Sequence, residues 1–122
     1  MTLQELYQKI GGDYEKVIRI LRVEKLVDKH IRKFTKSGVV DAMLDAGKDL
    51  DPERLFETSH AVKGVCGNLG LVDMYNASSE ISEEFRPGNP RKMSDDEVRE
   101  KLGRISALYD NIAGEIRLYT GE

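Results

Sequence analysis

An all-α chain folded as an antiparallel, up-and-down four-helix bundle with an additional short N-terminal helix is the architecture the sequence predicts, and three observations lead to it. Apolar residues recur three and four apart along most of the chain, the period of a helix with one buried face. No stretch alternates apolar and polar residues for long enough to argue a strand. Two of the helical patterns meet at Asn68-Leu69-Gly70, a tight turn that implies an antiparallel hairpin.

Each element has its own start and stop signals. Thr2 is an N-cap with Glu5 three residues on, and Leu3, Leu6, Tyr7 and Ile10 make a short first helix that stops at Gly11-Gly12. Asp13 caps the next, with Tyr14, Val17, Ile18 and Leu21 on one face. Leu26, Val27, His30, Ile31 and Phe34 carry the helix to about Thr35, with a kink near Val23. Ser37-Gly38 breaks the pattern, and Val39, Val40, Met43 and Leu44 form a short helix ending near Gly47. Asp51-Pro52-Glu53 opens a longer helix, because the aspartate accepts backbone N–H bonds and proline at the first position loses no needed donor. This helix is expected to run from about Pro52 to Asn68 and to close at Gly70. Leu71, Met74, Tyr75, Ser78, Ile81 and Phe85 mark its successor, which ends before Pro87-Gly88-Asn89-Pro90. Ser94 with Glu97 reads as a capping box for the last helix. Its positions Val98, Leu102, Ile105, Tyr109, Ile112, Ile116 and Tyr119 form a heptad seam suited to packing at about 20° in a left-handed bundle.

Length and composition narrow the possible functions. A chain of 122 residues holds one modest core, so residues 1–122 are expected to form a single domain. With 34% charged and 39% hydrophobic residues, no apolar run approaches the roughly 20 residues that span a bilayer. The N-terminus shows no basic region followed by an apolar stretch, so no signal peptide is expected. A net charge of −3 argues against a nucleic-acid partner, and a single cysteine excludes an internal disulfide, in keeping with a cytoplasmic location.

The most informative segment is His60-Ala61-Val62-Lys63-Gly64-Val65-Cys66-Gly67-Asn68-Leu69-Gly70. On a helix, Gly64 falls about 40° from His60 one turn on, Gly67 about 20° away two turns on, and Lys63 about 60° to the other side. Val65, Leu69, Val62 and Cys66 lie at about 140°, 180°, 200° and 240°, so the apolar stripe is opposite the histidine and His60 faces solvent. Each interior glycine costs roughly 1 kcal/mol relative to alanine. Close packing of another helix is one explanation for them, but packing glycines belong on the buried stripe. An early stop at Gly64 is another, yet the apolar pattern continues past it. The favoured reading is that Gly64 and Gly67 clear a path for a large partner to reach an exposed imidazole, with Lys63 balancing incoming negative charge.

His60, Lys63, Gly64, Leu69 and Gly70, in the pattern His-x-x-Lys-Gly followed by Leu-Gly, resemble the signature of histidine-containing phosphotransfer (HPt) domains. The resemblance extends over the whole chain, through the helix Leu71 to Arg86 and the opening Thr2–Tyr7, Ile10-Gly11-Gly12 and Asp13-Tyr14. It implies a phosphorelay carrier in which His60 accepts a phosphoryl group on Nε2 and passes it on between aspartates of response-regulator receiver domains. It also implies that the receiver supplies the aspartate and the Mg²⁺, so that the chain has no cofactor or metal of its own. Receiver domains and a hybrid histidine kinase are the expected partners, and a monomer is the expected state. In this family the following helix often supplies a polar partner to the histidine. Ser82 on that helix, and Ser59 beside the histidine, each offer a hydroxyl.

The chemistry of the residues fits this expectation. A neutral imidazole is a good nucleophile, and histidine's ordinary pKa of about 6.5 leaves most of it unprotonated at cytoplasmic pH. Phosphoryl transfer asks the protein mainly for positioning and a cation, and Lys63 is the candidate cation. Phe56, about 40° from His60 on a helix, is either ordinary surface exposure or part of a docking patch, and docking is favoured, with Glu57 at the rim. His30 reads as a boundary or core residue. Cys66 lies about 240° from His60, too far round the helix to pair with it, and reads as a small buried apolar residue. No zinc-ligand spacing is present, and Glu83-Glu84 and Asp95-Asp96 read as solvated charges. No phosphate-cradling loop or kinase ATP-binding motif occurs, so the chain is not expected to be an enzyme or to phosphorylate itself. A phosphorylation-independent helical module that docks a receiver or another signalling protein is the second reading.

Overall fold

Seven helices account for all the regular structure in the computed structural model, which describes residues 1–122. They are α1 (Leu3–Lys9), α2 (Tyr14–Leu21), α3 (Glu24–Phe34), α4 (Val39–Ala46), α5 (Pro52–Leu69), α6 (Val72–Glu84) and α7 (Asp95–Thr120). The molecule is all-helical. No helix is long and apolar enough to cross a membrane.

The caps form where the sequence places them. The Thr2 hydroxyl accepts from the Glu5 N–H while the Glu5 carboxylate accepts from the Thr2 N–H, a complete capping box. Asp51 accepts from the backbone N–H groups of Glu53 and Arg54 at the head of α5. Ser94 accepts from the Glu97 N–H, but the Glu97 carboxylate contacts the Ser94 hydroxyl, so this box lacks its return bond to the backbone. The expected kink near Val23 is a full break. Arg22 adopts φ +75° and separates α2 from α3, a conformation that costs a non-glycine residue about 1–2 kcal/mol.

One apolar core of 25 buried residues draws on every helix. The α7 seam is buried from Val98 to Ile116, with Tyr119 partly covered, because a stripe of period 3.5 stays against its neighbours over the whole helix. Each fully buried Leu, Ile or Met, such as Leu55, Ile105 and Met74, contributes about 1.5–3 kcal/mol relative to exposure. Leu26 and His30 depart from the expected pattern. Both are exposed on α3, because Val27, Ile31 and Phe34 already fill the stripe that faces the core.

The end of α5 is the most tightly specified turn. Gly70 takes φ +68°, and the Leu71 N–H donates to the Cys66 carbonyl at 3.0 Å, closing a Schellman motif. The N-terminal segment docks on this turn: the buried Tyr7 hydroxyl donates to the Leu69 carbonyl at 2.7 Å, and the Asp13 N–H to the Gly70 carbonyl at 2.8 Å. A Cβ at Gly70 would lie 2.7 Å from the Asp13 carbonyl oxygen, so the position demands glycine for space as well as for φ. The turn leads directly into α6, which packs along α5.

The loop from α6 to α7 is held by a buried carboxylate. Glu84, expected to be a solvated charge, has a side chain only 4% exposed. It accepts from the Lys92 N–H at 2.9 Å, the Met93 N–H at 2.8 Å and the Arg91 guanidinium at 3.1 Å. Burial pushes its carboxyl up, but the Met93 and Lys92 N–H bonds and Arg91 outweigh burial and hold it below the ordinary carboxylate range. The sequence conceals this because the donors lie seven to nine residues away and face Glu84 only once the loop folds back.

Candidate functional site

His60 lies midway along α5 with its imidazole exposed, on the side of the helix away from the buried stripe of Leu55, Val62, Cys66 and Leu69. Leu55 and Val62 are fully enclosed, which anchors the helix and leaves the histidine face outward. Phe56, one turn earlier, stacks on the imidazole with ring centroids 5.7 Å apart and planes 24° from parallel. Phe56 is half-buried and packs against the core, so it acts first as a shelf for the histidine ring. A stacked pair of this kind adds about 0.5–1.5 kcal/mol beyond burial and narrows the imidazole's rotamers.

The two glycines separate in role. A Cβ on Gly64 would meet nothing within 4 Å, so one turn beyond the imidazole the helix surface is open. A Cβ on Gly67 would lie 3.3 Å from both Cδ2 and Cε2 of Tyr75. The path across Gly67 is therefore filled by a ring from α6, and close packing within the molecule accounts for this glycine. Packing against Tyr75, which the sequence does not show, is thus a second reason for glycine at this position. Gly64 alone presents bare backbone.

Lys63 is partly buried and joins none of the chain's ion pairs. Its ammonium lies 5.8 Å from the centre of the Tyr75 ring, and the Lys16 ammonium, from α2, lies 5.8 Å from the same centre. The serines take other roles. The buried Ser59 hydroxyl donates to the Leu55 carbonyl of its own helix, and Ser82 is buried in α6 with no hydrogen bond to the imidazole. Glu57 is exposed near the site, and with Glu53 it edges a groove of about 470 Å³ formed by Pro52, Phe56, Phe85 and Pro87.

Cys66 is buried, and burial pushes its thiol up to about 12, which makes it an inert apolar residue. No group of three or more His, Cys, Asp or Glu side chains gathers to hold a metal.

A second groove, of about 360 Å³, lies between α2, α3 and α5. Ile20, Leu21, Phe34, Val65 and Leu69 form its apolar surface, with His30 and Lys33 alongside. Ile20, in the wall of this groove, is 42% exposed. Val65 follows Gly64 in α5 and points about 100° round the helix from it, so the groove lies on a different side of α5 from the imidazole. Sequence periodicity does not reveal the groove, because its walls come from three helices. Tyr75 and Lys16 were also missed as neighbours of the site, although the interior Gly67 was itself a signal that a bulky side chain crosses α5 there. Neither protein-family models, nor curated proteins, nor solved structures show a match to the chain.

Proposed function

We propose that this chain is a histidine-containing phosphotransfer protein, a cytoplasmic phosphorelay carrier whose His60 accepts a phosphoryl group from a receiver-domain aspartyl phosphate and donates it to a second receiver. The observation that carries the reading is an exposed imidazole, shelved on Phe56, with open backbone at Gly64 one turn beyond it. A nucleophile that reacts with a group fixed on another protein has to stand clear of its own fold. Gly64 removes the side chain that would otherwise meet the partner first. An antiparallel, up-and-down arrangement of the four main helices, with α1 at one end, belongs to the same reading and is supported by the two-residue link that folds α6 back onto α5.

In the proposed step, the Nε2 lone pair of a neutral His60 attacks phosphorus while the acyl-phosphate P–O bond breaks. The aspartate leaves as a carboxylate, and the proton on Nδ1 stays on the ring. Mg²⁺ bound by the receiver neutralises charge on the partner's side. On this side Lys63 offers an ammonium to the phosphoryl oxygens, whose charge is spread in the transition state.

The test is incubation with a receiver domain phosphorylated by acetyl phosphate, following label on the carrier. Parent protein is expected to take up acid-labile, alkali-stable label, and His60→Gln to take up none. Label of equal extent on His60→Gln sinks the reading. Receiver binding that is unchanged in His60→Gln, with no label on either protein, identifies a docking module instead.

A further inference from the structure

Tyr75 has a place in this site that packing alone does not explain. Its ring is seated on the backbone of α5 at Gly67, and two ammonium groups, Lys63 and Lys16, each lie 5.8 Å from its centre. Neither lysine has a carboxylate partner in the chain. Side chains on an α-helix lean toward its N-terminus, so the default path of Lys63 runs toward His60, one turn earlier. The ring stands on the other side, beside Gly67, one turn later. Tyr75 therefore competes with the histidine site for the Lys63 ammonium.

We infer that Tyr75 is a positioning residue that holds Lys63 in reserve while His60 is unphosphorylated and releases it to the phosphoryl group once that group arrives. The inference rests on the phosphocarrier reading above. A cation on an aromatic face at an exposed site is stabilised by a factor of roughly two to five, small enough to be overcome by a dianionic phosphoryl group. Because the ring binds Lys63 only in the unphosphorylated state, it opposes phosphorylation by that same factor. The phosphohistidine is then correspondingly readier to hand its group on.

The probe is phosphoramidate, a small donor whose P–N bond breaks, releasing ammonia, as the P–Nε2 bond to His60 forms. Lysines are first dimethylated with a ¹³C label, which keeps their charge. Two methyl signals, assigned with Lys16→Arg and Lys63→Arg, are expected to be shifted upfield by the Tyr75 ring. The Lys63 signal is expected to move back on phosphorylation of His60. In unmodified protein, Tyr75→Leu is expected to be phosphorylated about two to five times faster than the parent, and Tyr75→Phe at the parental rate. Tyr75→Leu added to Lys63→Ala is expected to bring no gain. A Lys63 signal that stays put on phosphorylation overturns the inference, as does an equal rate change in Tyr75→Phe and Tyr75→Leu. If Tyr75→Leu does not fold, the spectra of the parent protein decide alone. Failure of His60 to be phosphorylated by phosphoramidate and by a phosphorylated receiver alike removes the carrier reading and this inference with it, whereas phosphorylation without movement of Lys63 removes only the inference.

Discussion

Replacing Gly64 by alanine is expected to make the protein more stable. Glycine in a helix interior gives up about 0.5–1 kcal/mol relative to alanine, and at Gly64 nothing within 4 Å of the new methyl group opposes the gain. For a domain of this size that amounts to a rise of roughly 2–5 °C in Tm. Gly67→Ala is the control, because its methyl group would press two carbons of the Tyr75 ring at 3.3 Å and the ring would have to give by a few tenths of an ångström. It should gain clearly less than Gly64→Ala, or lose stability. Thermal unfolding followed by circular dichroism at 222 nm measures both. A longer uncharged side chain then separates stability from docking: Gly64→Gln should stay folded, with a Tm no lower than the parent's, yet slow phosphoryl transfer from a receiver at least tenfold by holding the partner off the imidazole. Two outcomes refute the reasoning. Destabilisation by Gly64→Ala would mean that the site is not open, and parental transfer by Gly64→Gln would mean that no partner approaches across it.

Other consequences follow from the buried groups. Glu84, whose carboxyl is held below its ordinary range, contributes stability that is present above its unfolded pKa of about 4.3 and is lost as pH falls through the lower folded value. Glu84→Gln should therefore cost about 1–3 kcal/mol at pH 7 and much less in acid, where the parent has lost the same contribution, as read from urea melts at the two pH values. Gly70→Ala places a Cβ 2.7 Å from the Asp13 carbonyl oxygen at a φ of +68°, and a loss of at least about 1–3 kcal/mol is expected by the same assay. Cys66, with its thiol raised to about 12 by burial, should resist a thiol reagent at pH 8 in the folded protein and react at once in urea; rapid reaction in the folded state would show that α5 opens locally.

Much of the fold is legible in the sequence because it depends on local chemistry. Thr2, Asp51 and Ser94 cap helices through bonds to residues two or three positions away, and those bonds form. The α7 seam is legible for a related reason, since a helix carries its own period whatever it packs against. Errors arise where the outcome depends on another element. Leu26 and His30 continue an apolar pattern on α3 but fall outside the stripe that the neighbouring helices cover. Glu84 reads as a surface charge because its donors arrive from beyond a loop containing two prolines. At the site, the angular spacing of α5 places His60 outward and Cys66 inward correctly, because both follow from one helix and its buried stripe. The ring beside Gly67 is not legible because a helical projection shows where a residue points, without showing that Tyr75 of α6 already lies there.

The sequence by itself determined an all-helical chain, the helix that bears His60, its stop at Gly70 and an outward-facing imidazole, all consequences of interactions within about one or two helical turns. The tertiary structure decided which of the two glycines is open and which ring from another helix lies beside Lys63. It also decided that α2, α3 and α5 enclose an apolar groove. These features depend on rings and chain segments from separate helices meeting at van der Waals distance, and that meeting is set by how the helices pack.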